Sequence, residues 1–207
     1  MYNCFIKRCI DFFIACVGLL VLFFPMIIVA CIIMIEDPGS PIFKQKRIGI
    51  HNSYFTLYKF RTMKLSTPHD MPTHLLSNPE QYLLKCGKIF RKLSIDEIPQ
   101  IINILKGEMS VVGPRPALWN QDDLVAEREK YNANDVRPGL TGWAQINGRD
   151  ELEIPIKAKF DGDYAKILCA GGIKAFVMDF KCFLGTFGKV LKSEGVVEGG
   201  TGEIKNK

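Results

Sequence analysis

The chain has 207 residues, of which 47% are hydrophobic and 24% are charged, and its formal net charge is +5. This length accommodates one domain and a terminal membrane element. The basic excess suits anionic lipid headgroups or phosphorylated substrates. It does not favour nucleic acid, because no strip of interleaved basic and aromatic residues is present. Seven cysteines without a C-x-x-C pair argue against a disulfide framework and a zinc site.

The first predicted element is an apolar run over residues 12–35, which contains no charged residue and has Pro25 near its middle. As one helix this run would extend about 36 Å, which exceeds the hydrocarbon core of a bilayer, about 30 Å thick. The sequence therefore predicts a chain that associates with a membrane.

Three interpretations of this run compete. A cleaved signal peptide would begin at Lys7 and Arg8 and end before Cys31, but the apolar stretch is long for that purpose. A simple spanning anchor should carry basic residues on one flank, whereas here they occur on both. A re-entrant hairpin explains both flanks, because Pro25 disrupts the helix and each half, about 18 Å long, is too short to cross. Since prolines also occur in kinked spanning helices, the last two interpretations stay open.

Beyond the run, alternating apolar residues and a central turn predict a β-hairpin between residues 41 and 60. The polar segment 64–80 is predicted to be a loop, and its His69 and His74 to be solvated rather than metal ligands. Helices are predicted over residues 82–90 and 96–105 and, as a charged surface helix, over residues 121–131.

Near the C-terminus, apolar residues recur at spacings of three and one over residues 173–191, which predicts an amphipathic helix. Its apolar side either packs on the core or inserts into the membrane interface, since phenylalanines flanked by lysines suit both environments. The Gly-rich tail from residue 194 is predicted to be disordered.

The acid pair Asp96–Glu97 is the strongest chemical signal. Ser94 and Glu97 fit a capping box at a helix N-terminus, but this leaves Arg91 and Asp96 unexplained. Free N–H groups and the helix dipole attract phosphate at such a terminus, and Mg²⁺ accepts carboxylate together with phosphate oxygens. A carboxylate there could also attack phosphorus as a nucleophile. The segment therefore predicts a site that handles phosphate.

Six arginines in turn-like or strand-end contexts extend this prediction, because a planar guanidinium binds phosphate through two parallel hydrogen bonds. They are Arg47, Arg61, Arg91, Arg115, Arg137 and Arg149. Arg115 is the strongest candidate, because Pro114 and Pro116 enclose it in a turn that follows Gly113.

Several ordered blocks carry a family resemblance: residues 59–63 (KFRTM), 93–100 (LSIDEIPQ), 107–116 (GEMSVVGPRP), 137–145 (RPGLTGWAQ) and 148–149 (GR). Together they resemble the bacterial sugar transferase family. Within it the chain is similar to the small monotopic phosphoglycosyl transferases, because no large domain precedes the apolar run.

The resemblance implies transfer of a sugar-1-phosphate from a UDP-sugar to undecaprenyl phosphate at the cytoplasmic face of the bacterial inner membrane, with release of UMP and with Mg²⁺ as cofactor. It implies that Asp96 is the nucleophile, which forms a phosphosugar intermediate. Glu97 would be its partner in metal binding or proton handling. Substrate contacts are expected from Arg91, Pro114, Arg115, Pro116, Arg61, Arg137 and Arg149.

The expected fold class is α+β and mostly helical. The resemblance implies that residues 1–38 form a re-entrant membrane helix broken at Pro25, although Phe24 stands where the family often has serine. Residues 39–193 are expected to form a small cytoplasmic catalytic domain with a short β-hairpin and interfacial amphipathic helices, and residues 194–207 a disordered tail. The block 159–164 matches the family loosely, so Asp161 and Asp163 receive no role. A membrane-anchored interaction module is the non-enzymatic alternative.

Overall fold

The computed structural model describes residues 2–67, 79–148 and 152–192. The helices are α1 (Lys7–Glu36), α2 (Lys85–Lys92), α3 (Ile101–Lys106), α4 (Asp122–Glu129), α5 (Trp143–Ile146), α6 (Ile154–Ala170) and α7 (Gly172–Lys192). The strands are β1 (Ile42–Ile48), β2 (Tyr54–Phe60), β3 (Ser110–Val112) and β4 (Gly139–Thr141). The predicted mostly helical α+β class is confirmed. The predictions for His69, His74 and the tail from residue 194 lie outside the described residues.

Helix α1 is continuous over 30 residues and contains Pro25 in its interior. The predicted break into two helices at Pro25 is therefore wrong. A proline removes only one intrahelical hydrogen bond, and side chains on both sides of it, including Leu22 and Met26, pack against the domain. Of the described residues, α1 is the one helix long and apolar enough to cross a membrane.

One face of α1 lies on the domain along the whole helix. The buried positions run from Asp11 and Ala15 near its start to Val29 and Ile33 near its end. The opposite face is apolar and exposed, and includes Phe12, Phe13, Leu20, Val21, Phe23, Phe24, Ile28 and Ile35. Since water does not favour such a continuous apolar surface, this face requires a hydrophobic environment.

A buried polar cluster, named here the anchor cluster, fixes the start of α1 and consists of Tyr2, Lys7, Asp11, Tyr164 and Asp179. The Asp179 carboxylate accepts hydrogen bonds from Tyr2 Oη, Lys7 Nζ and Tyr164 Oη, each at 2.7 Å. The Asp11 carboxylate accepts hydrogen bonds from the Ser110 hydroxyl at 2.7 Å and from the backbone N–H of Val111 at 3.0 Å. The cluster thereby joins α1 to β3, α6 and α7.

Strands β1 and β2 form the predicted antiparallel hairpin, with Ile42 opposite Phe60 and Ile48 opposite Tyr54. Its turn contains His51 at φ 52° and Asn52 at φ 57°. Strands β3 and β4 pair in parallel. This second sheet was not predicted, because strands of three residues are too short to show an alternating pattern.

Two hydrophobic clusters divide α1 between them. The first half of α1 packs with α3, β3, α6 and α7, and the second half packs with β2 and α2. Ile98 packs against both clusters. The turn that carries Asp96 and Glu97 therefore lies beside the middle of α1.

Helix α7 confirms the predicted C-terminal helix, and it has a buried side and an exposed apolar side. The side chains buried in the domain include Ala175, Met178, Asp179 and Cys182. Members of the predicted apolar stripe point outward instead: Ile173, Phe176, Val177, Phe180 and Leu184 are exposed. Tyr2 contacts Phe176 edge to face, with ring centroids 5.8 Å apart. The N-terminal segment thus packs beside the outward-facing stripe of α7.

Candidate active site

Asp96 and Glu97 lie in a tight 3-10 turn, Ile95–Gln100, that precedes α3. The predicted α-helix over residues 96–105 therefore begins later, at Ile101, since Pro99 lacks the N–H that a regular helix would use there. The predicted capping box is also wrong. Ser94 has φ 55° and makes no side-chain capping bond, while the Glu97 carboxylate binds cations.

Two cations meet at Glu97. Lys59 Nζ donates to Glu97 Oε1 at 2.9 Å and lies 3.8 Å from Asp96 Oδ2. Arg115 Nη2 donates to the same Glu97 oxygen at 2.8 Å. Within the described ranges, by contrast, no hydrogen bond to the Asp96 carboxylate is found, although the residue is only 7% exposed. Glu97 is thus a carboxylate neutralised by two cations. Asp96 is an open carboxylate, which here means one that accepts no hydrogen bond from the described residues.

Burial raises the pKa of Asp96 above its ordinary value, and the neighbouring Glu97 raises it further. The positive charges of Lys59, Arg91 and Arg115 act in the opposite direction and lower it. A carboxyl with a raised pKa is more basic and therefore a better nucleophile once it is ionised. The cations keep the ionised form accessible in this buried position.

Arg91 joins the site from the last turn of α2. Its Nε donates to the Thr62 hydroxyl at 2.9 Å, and its charge acts on Asp96. The other end of α2 is held by α1, because the Glu36 carboxylate accepts a hydrogen bond from the backbone N–H of Cys86 at 3.0 Å. The end of the apolar helix therefore helps to position α2, which carries Arg91.

The turn of residues 114–116 presents Arg115 to the acid pair. The prolines fix their own φ angles, and all three carbonyls of the turn accept hydrogen bonds. The Pro114 carbonyl accepts from the backbone N–H of Gly139 at 2.8 Å. The Arg115 carbonyl accepts from Arg128 Nη2 at 2.9 Å, and the Pro116 carbonyl accepts from Arg47 Nη1 at 2.9 Å. The turn is therefore rigid before any ligand binds.

Two predicted arginines, Arg61 and Arg137, are not placed at the acid pair. Arg61 donates through Nε to the Ser40 carbonyl at 2.8 Å and forms an ion pair with Asp37, so it fixes the exit of α1. Arg137 is bonded through Nε to the Gly107 carbonyl at 3.1 Å, beyond the end of α3. Arg149 lies outside the described residues. The substrate contacts of these arginines remain predictions.

Lys59, Arg128 and Asp161 are site components that the sequence analysis did not assign. Lys59 could have been found from the sequence, because it lies on the same face of β2 as the buried Phe55 and Leu57. A lysine on an inward face needs a partner of opposite charge. Arg128 gave no local signal, since the charged helix that carries it was predicted to be at the surface. It is 4% exposed and pairs with Asp161, which is 33 positions away.

The residues at the site fit a magnesium ion only in combination with a substrate. Among the described residues no group of three or more His, Cys, Asp and Glu side chains could hold a metal ion. Mg²⁺, however, is commonly bound by one or two carboxylates together with substrate phosphates. Asp96, with its open carboxylate, and Glu97 have the donor chemistry for that arrangement.

Comparison with known proteins identifies the family. Residues 2–193 match the family described as bacterial sugar transferase. The uncharacterised sugar transferase EpsL of Bacillus subtilis (strain 168) is 45% identical over 159 residues, which are 76% of this chain and 74% of that protein.

Two further relatives carry the names of specific enzymes. The UDP-glucose:undecaprenyl-phosphate glucose-1-phosphate transferase of Escherichia coli (strain K12) is 35% identical over 177 residues, 79% of this chain and 37% of that protein. The undecaprenyl-phosphate galactose phosphotransferase of Salmonella typhimurium is 31% identical over 176 residues, 78% of this chain and 37% of that protein. Since the family match extends over nearly the whole sequence, this chain belongs to the bacterial sugar transferase family.

Proposed function

We propose that this protein is a membrane-associated phosphoglycosyl transferase. It transfers a sugar-1-phosphate from a UDP-sugar to undecaprenyl phosphate and releases UMP. The names of the relatives support the class of reaction, since they specify undecaprenyl phosphate as acceptor and a sugar phosphate as the transferred group. The observation that carries the proposal is the buried, open carboxylate of Asp96 among Lys59, Arg91 and Arg115.

In the first step an oxygen of the Asp96 carboxylate attacks the β-phosphorus of the UDP-sugar. A bond forms between that oxygen and phosphorus, and the bond from the β-phosphorus to the bridging oxygen breaks. The electron pair leaves with UMP, and the sugar phosphate stays on Asp96 as an acyl phosphate. Lys59 and Arg115 stabilise the negative charge that develops on the phosphates during this transfer.

In the second step a phosphate oxygen of undecaprenyl phosphate attacks the same phosphorus. The bond between phosphorus and Asp96 breaks, and the carboxylate is regenerated. Two displacements in succession need only one nucleophile, which agrees with the division of the acid pair into an open and a neutralised carboxylate. Asp96 and Glu97 would hold Mg²⁺, which would neutralise phosphate charge.

The contacts of α1 support a location of the site at the membrane surface. The domain packs against one face of α1 from Lys7 to Glu36, a helix about 45 Å long at ordinary helical rise. If α1 crossed the bilayer, charged groups of the domain would enter the hydrocarbon core at a high free-energy cost. We therefore propose that both ends of α1 lie on one face of the membrane, the cytoplasmic face, with the exposed apolar side of the helix in the lipid.

Helix α7 supports the same orientation. Its exposed apolar stripe lies beside the start of α1, through the contact between Tyr2 and Phe176. Lys174 and Lys181 are exposed on the same helix, where they suit anionic headgroups. With both helices at the interface, the acid pair beside the middle of α1 lies where a lipid-bound phosphate can reach it.

The proposed reaction is tested by measuring UMP release. Purified protein in lipid nanodiscs is incubated with Mg²⁺, undecaprenyl phosphate and each member of a panel of UDP-sugars. We expect UMP release with at least one UDP-sugar. When undecaprenyl phosphate is omitted, UMP release should stop after one turnover. Absence of UMP with every donor would reject the transferase and favour a membrane-anchored interaction module.

The proposed topology is tested separately. A single cysteine is introduced at Asn3 in a variant without native cysteines, and sealed vesicles are labelled from either side with an impermeant maleimide. Labelling from the side that carries the catalytic domain is expected. Labelling from the opposite side would mean that α1 spans the membrane.

A further inference from the structure

Arg128 and Asp161 form a buried ion pair behind the 114–116 turn. Arg128 is 4% exposed and Asp161 is 1% exposed. Both Nε and Nη2 of Arg128 donate to the same carboxylate oxygen, Asp161 Oδ2, at 2.9 and 2.6 Å. The same Nη2 also donates to the carbonyl of Arg115 at 2.9 Å. One guanidinium thus connects a buried carboxylate to the backbone of a residue that binds the acid pair.

Stability alone explains this pair poorly. Within the described part of the chain, Asp161 Oδ1 is buried and has no hydrogen-bond partner. Burial raises the pKa of Asp161 despite the opposing charge of Arg128. The ionised carboxylate therefore costs free energy in the folded protein. A buried pair with an unsatisfied oxygen contributes little to stability compared with apolar side chains of similar size. The role of the pair is therefore better explained by the geometry that it imposes.

That geometry acts on Arg115. The carbonyl of Arg115 can accept the Arg128 bond only in one orientation of the peptide, and the flanking prolines limit the alternatives. The opposite end of Arg115, its Nη2, donates to Glu97 at 2.8 Å. Fixing the backbone at one end therefore fixes where the guanidinium can reach at the other end.

We propose that Arg128, oriented by Asp161, is a positioning residue that holds the Arg115 backbone and thereby directs the Arg115 guanidinium to Glu97 and to the substrate phosphate. This inference rests on the proposed function. It assigns a role to Asp161 in the 159–164 block, and it leaves Asp163, which is exposed on the same helix, without one.

The test is a double-mutant cycle on UMP release. Arg128→Lys keeps the positive charge but cannot bond Asp161 and the Arg115 carbonyl in the same two-point arrangement. We expect this variant and Asp161→Asn to lower kcat about 10- to 100-fold, the range for a catalytic group displaced by about 1 Å. In the Arg115→Ala background, Arg128→Lys should cause no further loss beyond about twofold, because it acts through Arg115.

A second measurement does not depend on turnover. Backbone hydrogen exchange of the peptide spanning residues 113–121 should be faster in Arg128→Lys and Asp161→Asn than in the wild type. Asp163→Asn, the matched control on α6, should leave both exchange and kcat unchanged within about twofold, as expected for a surface substitution. Because exchange can be measured in an inactive protein, failure of the proposed function is distinguishable from failure of this inference.

Three results would overturn the inference. The first is wild-type turnover and exchange in both variants. The second is an equal loss of kcat from Arg128→Lys with and without Arg115, which would show that the two residues act independently. The third is that neither Arg128→Lys nor Asp161→Asn folds, judged by thermal unfolding, because the pair would then maintain the fold rather than position Arg115.

Discussion

The anchor cluster and the acid pair are both buried, and each combines two carboxylates with at least one cation, but the carboxylate oxygens have different partners. In the anchor cluster all four carboxylate oxygens of Asp11 and Asp179 accept hydrogen bonds from the protein. At the acid pair Glu97 is bonded to two cations, whereas Asp96 accepts no hydrogen bond from the described residues. A saturated carboxylate stabilises a fold, and a buried open carboxylate is available to a ligand. Substitutions in the two clusters should therefore have opposite consequences.

The largest expected effect is on turnover, from Asp96→Asn. This variant should lose about 10⁴-fold or more in kcat, as enzymes do when a nucleophile is removed. UMP release in nanodiscs measures the effect, with Asp163→Asn as the matched control. Retention of near-normal activity by Asp96→Asn would remove Asp96 from the role of nucleophile.

The same variant should not lose stability at neutral pH. Because the folded-state pKa of Asp96 is raised, its stabilising contribution is present below the unfolded pKa and is lost as the pH rises through the folded pKa. At pH 7 the buried ionised carboxylate costs free energy in the folded state. Asp96→Asn removes this cost, so the thermal midpoint of the variant at pH 7 should equal or exceed that of the wild type. The difference should disappear as the pH falls to about 4, the ordinary pKa of Asp. A lower midpoint at pH 7 would mean that Asp96 is as saturated as the anchor carboxylates.

The opposite behaviour is expected from Asp179→Ala in the anchor cluster. Loss of this carboxylate leaves the buried Lys7 without its partner at 2.7 Å, so the free energy of unfolding should fall by about 3 kcal/mol. Denaturant unfolding in detergent measures this change. The kcat of the folded fraction should stay within about threefold of the wild type. A collapse of kcat in a fully folded variant would show that the anchor cluster takes part in catalysis.

A smaller effect should follow from Lys59→Met, which sharpens the electrostatic part of the comparison. Lys59 lowers the pKa of Asp96, so its removal raises that pKa further, and the acidic limb of the pH profile of kcat should move to higher pH. At neutral pH kcat should fall about tenfold, and this loss should shrink as the pH rises. An unshifted acidic limb would contradict the proposed coupling of Lys59 to Asp96.

The smallest effect is expected from Arg137→Ala. This exposed arginine bonds the Gly107 carbonyl rather than the acid pair, so any contact of Arg137 with the UDP-sugar should be weak, and kcat and KM for the UDP-sugar should change by no more than about threefold. Arg115→Ala, measured in parallel, should lose far more. Equal losses in the two variants would show that both arginines bind the substrate.

The sequence predicted the features that depend on local patterns. The β1–β2 hairpin, the helix α7 and the candidate pair Asp96–Glu97 all follow from periodicity or from adjacent residues. The break at Pro25 was predicted wrongly, because tertiary packing on both sides of the proline maintains the helix. The prediction of a capping box at Ser94 was wrong for a similar reason. The ion pairs of Glu97 with Lys59 and Arg115 outweigh a local hydrogen bond to the backbone.

Other features could not be predicted, because they depend on residues that are distant in the sequence. The saturation of Asp179 requires Tyr2 and Lys7, which lie 177 and 172 positions away. The contact of Arg128 with the Arg115 carbonyl depends on how α4 and α6 pack. Without these contacts a buried arginine cannot be distinguished from a solvated one in a charged helix.

In the proposed mechanism the open carboxylate of Asp96 carries the sugar phosphate during transfer. The most direct measurement is peptide mass spectrometry of protein incubated with a competent UDP-sugar and Mg²⁺ in the absence of undecaprenyl phosphate, then quenched in acid. We expect a mass increase of one sugar phosphate on the peptide that contains Asp96, and this increase should disappear when undecaprenyl phosphate is added before the quench. A protein that releases UMP while this peptide stays unmodified, or that carries the sugar phosphate on another residue, would rule out Asp96 as the carrier.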